Sequence, residues 1–457
     1  MKRCAEIFLT AGVVLCCNGC TQYSYNLNAT GQKNCYDVSG AVVSVTSQSD
    51  SLYGQDANFL QGAALSFKDN GDGTVTDCNT HLTWQQVPLA EGMTWAEAKK
   101  YCDELEFAGY SDWRMPTLKE LFSISDFSEG WPYIDTTYFK LATGVVGKDE
   151  QYWADNKYTG ETLEGRDDAA FGVNHVTGHI KAYPAGSDMS PRGEGGTRGS
   201  REMPQGLTPD GERSMPPPPL RENDDAPQEE GTHNMGQRSQ RPQMGEARGD
   251  STGMQHHRRP QMGAEGQRPM GNPMAKQVRA VRGNAYGENK FVDNGDGTVS
   301  DNATGLMWAK CDNGEGVEWV EALVFAKESA LAGYSDWRLP NVKELQSIVD
   351  YSKAPSSKSY EAAIDARFFE CTPTVNEAGD SDFGYYWTGT SACFRKGAPF
   401  YFAWYVAFGR AVNNAGIDMH GAGAVRFDSK SDNGLTVEGG EERYYNFVRL
   451  VRNISAK

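Results

Sequence analysis

Residues 109–121 read GYSDWRMPTLKEL and residues 333–345 read GYSDWRLPNVKEL, so one phrase occurs twice in a chain of 457 residues. The match extends without a gap to 67–126 against 291–350, where 32 of the 60 aligned residues are identical. Similarity this close over this length indicates a duplicated structural unit. The sequence therefore predicts two tandem repeats of one fold.

The repeated phrase predicts a corner between a short strand and a helix. A strand-like Trp-Arg-Met stretch ends at Pro116, because proline cannot donate a backbone hydrogen bond. Thr117 is placed to cap the helix that follows. We expect the corner to be fixed by Arg114, paired with Asp112 or Glu120.

Other elements are predicted on either side of this corner. Each repeat begins with Phe-x-Asp-Asn-Gly-Asp-Gly-Thr-Val, whose Asn-Gly and Asp-Gly turns predict a β-hairpin. A helix is predicted over 94–105, with Thr94 as N-cap and Glu97 completing a capping box. Aromatic-rich strands and irregular loops follow. Each repeat then closes on a Val-Arg-x-Val-Arg strand, at 278–282 and 448–452.

The closing strand of the first repeat stands directly before the second repeat, so 186–274 is an insertion inside the first repeat. This insertion contains no lysine and no aromatic residue, and it repeats Arg-Pro-Gln-Met-Gly. It cannot bury enough apolar surface to offset the entropy of ordering, so we predict that it is disordered. It would serve as a tether or partner-binding arm, or be a tolerated expansion of a surface loop. The repeats are then bounded at 65–283 and 289–453.

The N-terminus predicts export. Lys2 and Arg3 precede an apolar run over 7–17, which is typical of a signal peptide covering 1–19. Gly19 before Cys20 resembles the lipobox of bacterial lipoproteins, which makes Cys20 the predicted lipidation site and 20–64 an N-terminal segment. An ordinary signal peptide and an uncleaved N-terminal anchor are the alternatives. We expect an exported protein, either lipid-anchored at the outer membrane or cell surface, or periplasmic.

Net charge and cysteine usage limit the classes of partner. The formal charge of -17 argues against binding to nucleic acid or to an anionic membrane surface, so membrane contact is expected only through the lipid anchor. Six cysteines remain outside the signal and processing site, an even number that favours disulfides in an exported protein. None of the six has C-x-x-C spacing. Cys371 and Cys393 share one irregular stretch and are the first predicted pair.

Four stretches, DNGDGTVTD, TWAEAKKYCDEL, AGYSDWRMPTLKELFSI and FVRLVR, resemble the Lcl C-terminal domain family, named for the C-terminal region of the Legionella collagen-like adhesin. The order of predicted elements is also similar to C-type-lectin-like folds, within them to the formylglycine-generating enzymes. The resemblance implies an α+β fold, with two tandem C-type-lectin-like units. It also implies adhesin-like recognition of sulfated glycans or host surfaces.

The sequence gives little support for a metal-binding site or a catalytic site. The acidic turns around Asp72 and Asp296 do not fit an EF-hand register, so plain turns are favoured and calcium remains an alternative. His175 and His179 are expected on an exposed hairpin. Formylglycine-generating enzymes use two closely placed cysteines near the C-terminal end, whereas the last cysteine here is Cys393. No catalytic residue and no cofactor are predicted, and the chain is not expected to be an enzyme.

A binding protein fits the sequence better, with a glycan or a protein at a cell surface as partner. Aromatic residues supply rigid contact area, and the candidates in the irregular parts of the repeats are Trp131, Trp153, Trp387, Tyr401 and Trp404. The second repeat, with Trp387, Tyr401 and Trp404 and the glycine-rich 420–424 loop, is predicted to be the more specialised binder. The alternative is a structural envelope lipoprotein without a soluble ligand. A binding role predicts exposed aromatics, and a structural role predicts buried ones.

Overall fold

A computed structural model describes residues 23–142, 150–162, 167–186, 275–356, 358–432 and 443–454. The predicted signal peptide, Cys20 and nearly all of the predicted disordered insertion lie outside these residues. Within them, both repeats and the N-terminal segment belong to one compact unit. No helix in these ranges has the length and apolar character needed to cross a membrane.

The elements follow the predicted duplication. The N-terminal segment holds β1 (Cys35–Tyr36), β2 (Val42–Val43) and α1 (Asp56–Phe59). The first repeat holds β3 (Phe67–Asp69), β4 (Thr74–Asp77), β5 (Thr83–Gln85), α2 (Trp95–Asp103), α3 (Leu118–Ser123), β6 (Gln151–Lys157), β7 (Ala169–Asn174), β8 (Ile180–Pro184) and β9 (Val281–Arg282). The second repeat holds β10 (Phe291–Asp293), β11 (Thr298–Asp301), β12 (Leu306–Ala309), α4 (Trp319–Glu328), α5 (Val342–Ser347), β13 (Pro373–Val375), β14 (Ser381–Phe383), β15 (Tyr385–Ala392), β16 (Phe402–Ala407), β17 (Val425–Ser429) and β18 (Val451–Asn453). The described residues form mostly β-sheet with a few short helices, and the two predicted repeats are present. The C-type-lectin-like part of the fold stays a prediction.

Each repeat opens with a small antiparallel sheet that its closing strand completes. The strand orders are β3-β4-β5-β9 and β10-β11-β12-β18. The first turn is held as its sequence predicts: the Asp69 carboxylate accepts a hydrogen bond from the Gly71 amide at 2.8 Å, and Asp72 accepts one from the Thr74 amide at 3.0 Å. Gly73 follows with a φ of 86°, a conformation that favours glycine. The turn dipeptides therefore determine the hairpin.

The two predicted helix starts are confirmed. The Thr94 side chain accepts a hydrogen bond from the Glu97 amide, and Glu97 accepts one from the Thr94 amide, which forms a capping box. Thr117 and Glu120 form the same box at α3. These caps satisfy amides at the helix N-terminus that would otherwise lack a partner.

The two repeats share one sheet. Its order is β15-β16-β17-β8-β7-β6, so three strands of the second repeat continue into three strands of the first. The junction is antiparallel, with Val425 paired to Ile180. The three strands β7, β15 and β16 are buried along their whole length. The six-stranded sheet therefore takes half of its strands from each repeat.

Helices α3 and α5 pack against each other through reciprocal lysine contacts. Lys119 Nζ in α3 donates to the Ser347 carbonyl at the end of α5, at 2.6 Å. Lys343 Nζ in α5 donates to the Ser123 carbonyl at the end of α3, at 2.9 Å. These lysines and serines occupy matching positions of the aligned stretches 67–126 and 291–350, so the two repeats are related by an approximate twofold axis. Such an arrangement has the self-complementary form of a symmetric dimer interface.

All six described cysteines are free thiols, and the predicted Cys371–Cys393 disulfide is not formed. Cys371 Sγ lies 3.4 Å from the Arg449 guanidinium, which packs on the Tyr386 ring near the start of β15. Cys393 follows the last residue of this eight-residue strand. At a rise of about 3.3 Å per residue the two lie on the order of 20 Å apart, well beyond the ~7 Å that a disulfide allows between Cα atoms.

A different cysteine lies next to Cys371. The Glu370 amide donates to the Lys310 carbonyl at 2.9 Å, and the Thr372 amide donates to an Asp312 carboxylate oxygen at 2.8 Å. The segments that carry Cys311 and Cys371 therefore run side by side. Sequence spacing of 60 residues gave no sign of this neighbour, because the contact depends on the folded loop.

Candidate functional site

The predicted binding aromatics are mostly core residues. Trp387 and Trp404 are fully buried. Trp387 Nε1 donates to the Val317 carbonyl at 2.8 Å, and the Trp404 ring stands edge-on to the rings of Phe127 and Tyr133. Neither indole has a face open to a ligand, so these two residues are corrected from ligand contacts to packing residues.

The other candidates form no aromatic surface either. Trp153 is fully buried and donates to the Met93 carbonyl at 2.8 Å. Tyr401 and Trp131 are half-buried, and the Tyr401 ring packs on Phe402 at 4.1 Å. The exposed aromatic cluster that a binding role predicts is not formed by these five residues.

The Arg-x-Pro corner is an ion-pair junction that serves the fold. Arg114 makes two hydrogen bonds to the buried Glu120 carboxylate, at 2.7 and 2.6 Å, so Glu120 is the predicted partner that the structure selects. Asp112 instead binds Arg282 of the closing strand, at 2.7 and 3.0 Å. The counterpart pairs Arg338–Glu344 and Arg452–Asp336 repeat this geometry.

The first arginine of each Val-Arg-x-Val-Arg pattern, just before the closing strand, is a buried cation that the sequence analysis missed. Arg279 is fully buried and donates to the carbonyls of Gln85, Gln86 and Lys140. Arg449 does the same in the second repeat with the carbonyls of Ala309, Lys310 and Glu370. A guanidinium that satisfies three carbonyls joins loop segments in the core. The repeated Val-Arg-x-Val-Arg pattern was the available signal for this role.

The histidines and acidic turns provide no metal centre. His175 is fully buried and packs at 5.1 Å from the Tyr152 ring, so the expected exposed hairpin is wrong at this position. Burial, with a smaller effect of Arg279, holds the pKa of His175 well below its usual range. In the part of the chain that the structure describes, no group of three or more histidine, cysteine, aspartate or glutamate residues could hold a metal ion.

An open cleft of about 750 Å³ lies between the two repeats. Its first wall comes from the first repeat, with Lys99 of α2, Arg114 of the corner, and Asp155 and Asn156 of β6. The opposite wall comes from the link 285–289 and the loop after α5, and includes Glu288, Asp350, Tyr351 and Ser352. Its lining is polar and charged around a few apolar side chains.

The polar groups on the first wall are held in place by the fold. Lys99 Nζ lies 3.0 Å from an Asp155 carboxylate oxygen. The Asn156 side-chain oxygen accepts a hydrogen bond at 2.7 Å from the Leu118 amide, at the N-terminus of α3. The Arg114 side chain is 30% exposed, although its partner Glu120 is fully buried. The cleft therefore presents preorganised groups, with the edge of one guanidinium accessible from solvent.

Lys119 forms the floor of the cleft. Its ammonium donates to the Gly287 carbonyl, the Asn289 side-chain oxygen and the Ser347 carbonyl, at 3.0, 2.8 and 2.6 Å. Burial lowers the pKa of Lys119 to about 8. With all three donors used, this lysine ties the link between the repeats to both helices and is not a ligand contact.

The comparisons with known proteins agree with the duplication. The model of the Lcl C-terminal domain matches residues 73–192 and again residues 297–433. No curated protein and no solved structure was found to match the chain. The two matched regions together cover more than half of the sequence, and each contains one copy of the repeated phrase. The chain therefore belongs to the Lcl C-terminal domain family and carries two copies of the domain.

Proposed function

We propose that this chain is an exported, surface-associated binding protein that holds its ligand in the cleft between the two repeats. The family is named for an adhesin, which supports an adhesin-like role with a glycan or a protein at a cell surface as partner. The observation that carries the proposal is the cleft itself. It is large, open and lined by fixed polar groups, within the size range of ligand sites.

The cleft replaces the aromatic residues of the second repeat as the proposed contact surface. Since Trp387 and Trp404 are buried, recognition depends on charged and polar groups such as Lys99, Asp155 and Asn156. Hydrogen-bonding groups of this kind suit hydroxyl-rich or peptide ligands. No catalytic step and no cofactor form part of the proposal.

A structural envelope lipoprotein without a soluble ligand is the second candidate. The burial of Trp387, Trp404 and Trp153 favours it, because a structural role predicts buried aromatics. In both candidates the chain reaches the membrane through a lipid on Cys20. Incorporation of a labelled fatty acid into the wild-type chain, and its loss in Cys20→Ala, tests this anchor.

The test of the binding function uses one matched pair of variants. Lys99 lines the cleft, whereas its neighbour Lys100 is 72% exposed, pairs with Glu104 and does not line the cleft. The full chain is applied to an array of glycans, including sulfated polysaccharides, and of cell-surface proteins, with calcium and with EDTA. We expect binding that Lys99→Glu weakens about tenfold, the effect of losing one charged contact worth about 1.4 kcal/mol, and that Lys100→Glu leaves unchanged.

Two results would contradict the proposal. A blank array under both conditions would favour the structural candidate. Binding that responds equally to Lys99→Glu and Lys100→Glu would move the contact surface away from the cleft. Binding that EDTA abolishes would also restore calcium as a cofactor.

A further inference from the structure

The approximate twofold relation between the repeats gives the cleft a counterpart on the second repeat. Arg338 stands where Arg114 stands in the repeated phrase, and Thr390 takes the place of Asn156. The local hydrogen bonds agree: the Leu118 amide donates to Asn156 at 2.7 Å, and the Val342 amide donates to Thr390 at 3.1 Å. The two surfaces are thus built on the same framework.

The counterpart surface is covered by a loop of the same chain. The Asp56 carboxylate of α1 accepts hydrogen bonds from the hydroxyls of Thr390, at 2.8 Å, and Thr30, at 2.7 Å. The Arg338 guanidinium lies 5.6 Å from the Phe59 ring centre. As a result the Arg338 side chain is 4% exposed, against 30% for Arg114.

The fit of this loop is close. At Gly389 an added Cβ would meet the Asp56 amide nitrogen at 3.1 Å and the Gly54 carbonyl at 3.2 Å. A cavity of about 120 Å³ beside Phe59 and Arg338 remains, against about 750 Å³ for the open cleft. Backbone of the loop thus lies directly on the strand that forms the groove.

The loop is an addition that only one repeat carries. Asn28 donates to the Asp77 carboxylate at 2.7 Å, and Asn289 donates to the equivalent Asp301 at 2.9 Å. In the second repeat the strand β10 begins two residues after this asparagine. In the first, the chain leaves after Asn28 and returns at Ala63, where Ala29 and Ala63 pair through a 2.7 Å backbone hydrogen bond. The excursion 29–63 is what fills the groove of the other repeat.

We propose that the open cleft between the repeats is a docking groove for a short segment of a partner polypeptide, which occupies the place equivalent to that of the loop 29–63 on the second repeat. This inference rests on the proposed function and specifies its ligand. The two grooves are built on the same framework, and one of them is filled by polypeptide. A polypeptide is therefore the ligand that best suits the other groove. The partner segment comes from a different protein, because the loop 29–63 is already held by its own chain.

The side chains that differ between the grooves define the chemistry of this segment. Gly389 is replaced by Asp155 and Leu323 by Lys99, so the open groove carries charged side chains where the filled one is small and apolar. Lys99 is neutralised by Asp155, whereas the opposite wall carries Glu288 and Asp350. Among the described residues the Glu288 carboxylate has no hydrogen bond or ion pair, and it is exposed. A lysine or arginine of the partner segment pairs with this wall.

A displayed peptide library tests the inference. Random dodecapeptides on phage are selected on the full chain, and each enriched peptide is measured by fluorescence anisotropy. We expect basic peptides whose affinity falls about tenfold or more in Glu288→Lys, because this change reverses the charge of the wall with which their lysine or arginine pairs. The control Glu104→Lys makes the same charge change at an exposed site outside the cleft and should leave the affinity unchanged.

The outcomes separate this inference from the proposed function. Glycan binding that is sensitive to Lys99→Glu, with no peptide sensitive to Glu288→Lys, would overturn the inference while the proposed function stands. Enriched peptides that bind Glu288→Lys and wild type equally would overturn it as well. Melting temperatures of all variants are measured in parallel, so that unfolding is not mistaken for lost binding.

Discussion

Replacing Asp56 by asparagine should stabilise the chain at neutral pH and change it less at acidic pH. Asp56 is buried against the second repeat, and this burial raises the pKa of its carboxyl to about 6. The hydroxyls of Thr30 and Thr390 oppose the shift by donating to the carboxylate. Glu344 adds to it and Arg338 opposes it through their charges.

The sign and size follow from proton linkage. A carboxyl whose folded pKa lies above its unfolded value of 3.8 contributes stability that is complete below about pH 4 and is lost as the pH rises through about 6. Between pH 4.5 and 7.5 this one group costs the folded state about 2 kcal/mol, at 1.36 kcal/mol per pKa unit. Asparagine is neutral throughout and avoids that cost, while its side-chain oxygen can still accept from the two threonines.

Urea unfolding followed by tryptophan fluorescence at pH 4.5 and 7.5 provides the measurement. We compare the free energy of unfolding of Asp56→Asn with that of wild type at each pH. The variant's advantage over wild type should be about 2 kcal/mol larger at pH 7.5 than at pH 4.5. The control is Asp37→Asn in the same segment, because hydrogen bonds from Ser39 lower the pKa of the partly exposed Asp37. For this variant the free energy of unfolding relative to wild type should not increase from pH 4.5 to 7.5. A difference for Asp56→Asn that stays constant from pH 4.5 to 7.5 would refute the reasoning.

Three further outcomes are expected. Trp404→Ala should lower the free energy of unfolding by about 3–5 kcal/mol in urea titrations, because it leaves a cavity in the core. A change near zero would contradict the burial of Trp404. Oxidation with diamide should give a Cys311–Cys371 cross-link by peptide mass spectrometry, because their segments are hydrogen-bonded side by side; a Cys371–Cys393 cross-link would contradict this. Burial lowers the pKa of Lys343 to about 7, so the folded state loses this proton at a lower pH than the unfolded state does. The melting temperature of wild type should therefore rise from pH 7 to 9, and it should rise less in Lys343→Met.

Local features of the fold were predictable from sequence because their causes lie within a few residues. The Asn-Gly-Asp-Gly turns and the capping boxes at Thr94 and Thr117 depend on spacings of two or three positions. Duplication was also visible, because internal identity needs no structure to detect it. The Arg114–Glu120 pair was one of two alternatives, and both partners lay within the same short phrase.

Long-range features were not predictable in the same way. The sequence gives Trp387 and Trp404 as aromatic residues but not the direction in which they point. Only the packing of β15 and β16 shows that both indoles face the core. The sheet shared by the repeats depends on a single junction, Val425 with Ile180, between distant segments. The cleft was missed for the same reason, since its walls come from both repeats. Nothing in the sequence marked 29–63 as the loop that fills one groove.

The reciprocal contacts of Lys119 and Lys343 have an evolutionary consequence. In a homodimer every mutation is inherited on both sides of the axis, so its two grooves must stay alike. Here the two halves are separate segments of one chain, so each can mutate independently of the other. One half can retain a leucine beneath a packed loop while the other acquires a lysine in an open cleft. Fusion of the two repeats thus keeps the packing of a symmetric dimer but no longer requires the two halves to be identical. One half can then stabilise the fold while the other changes its binding specificity.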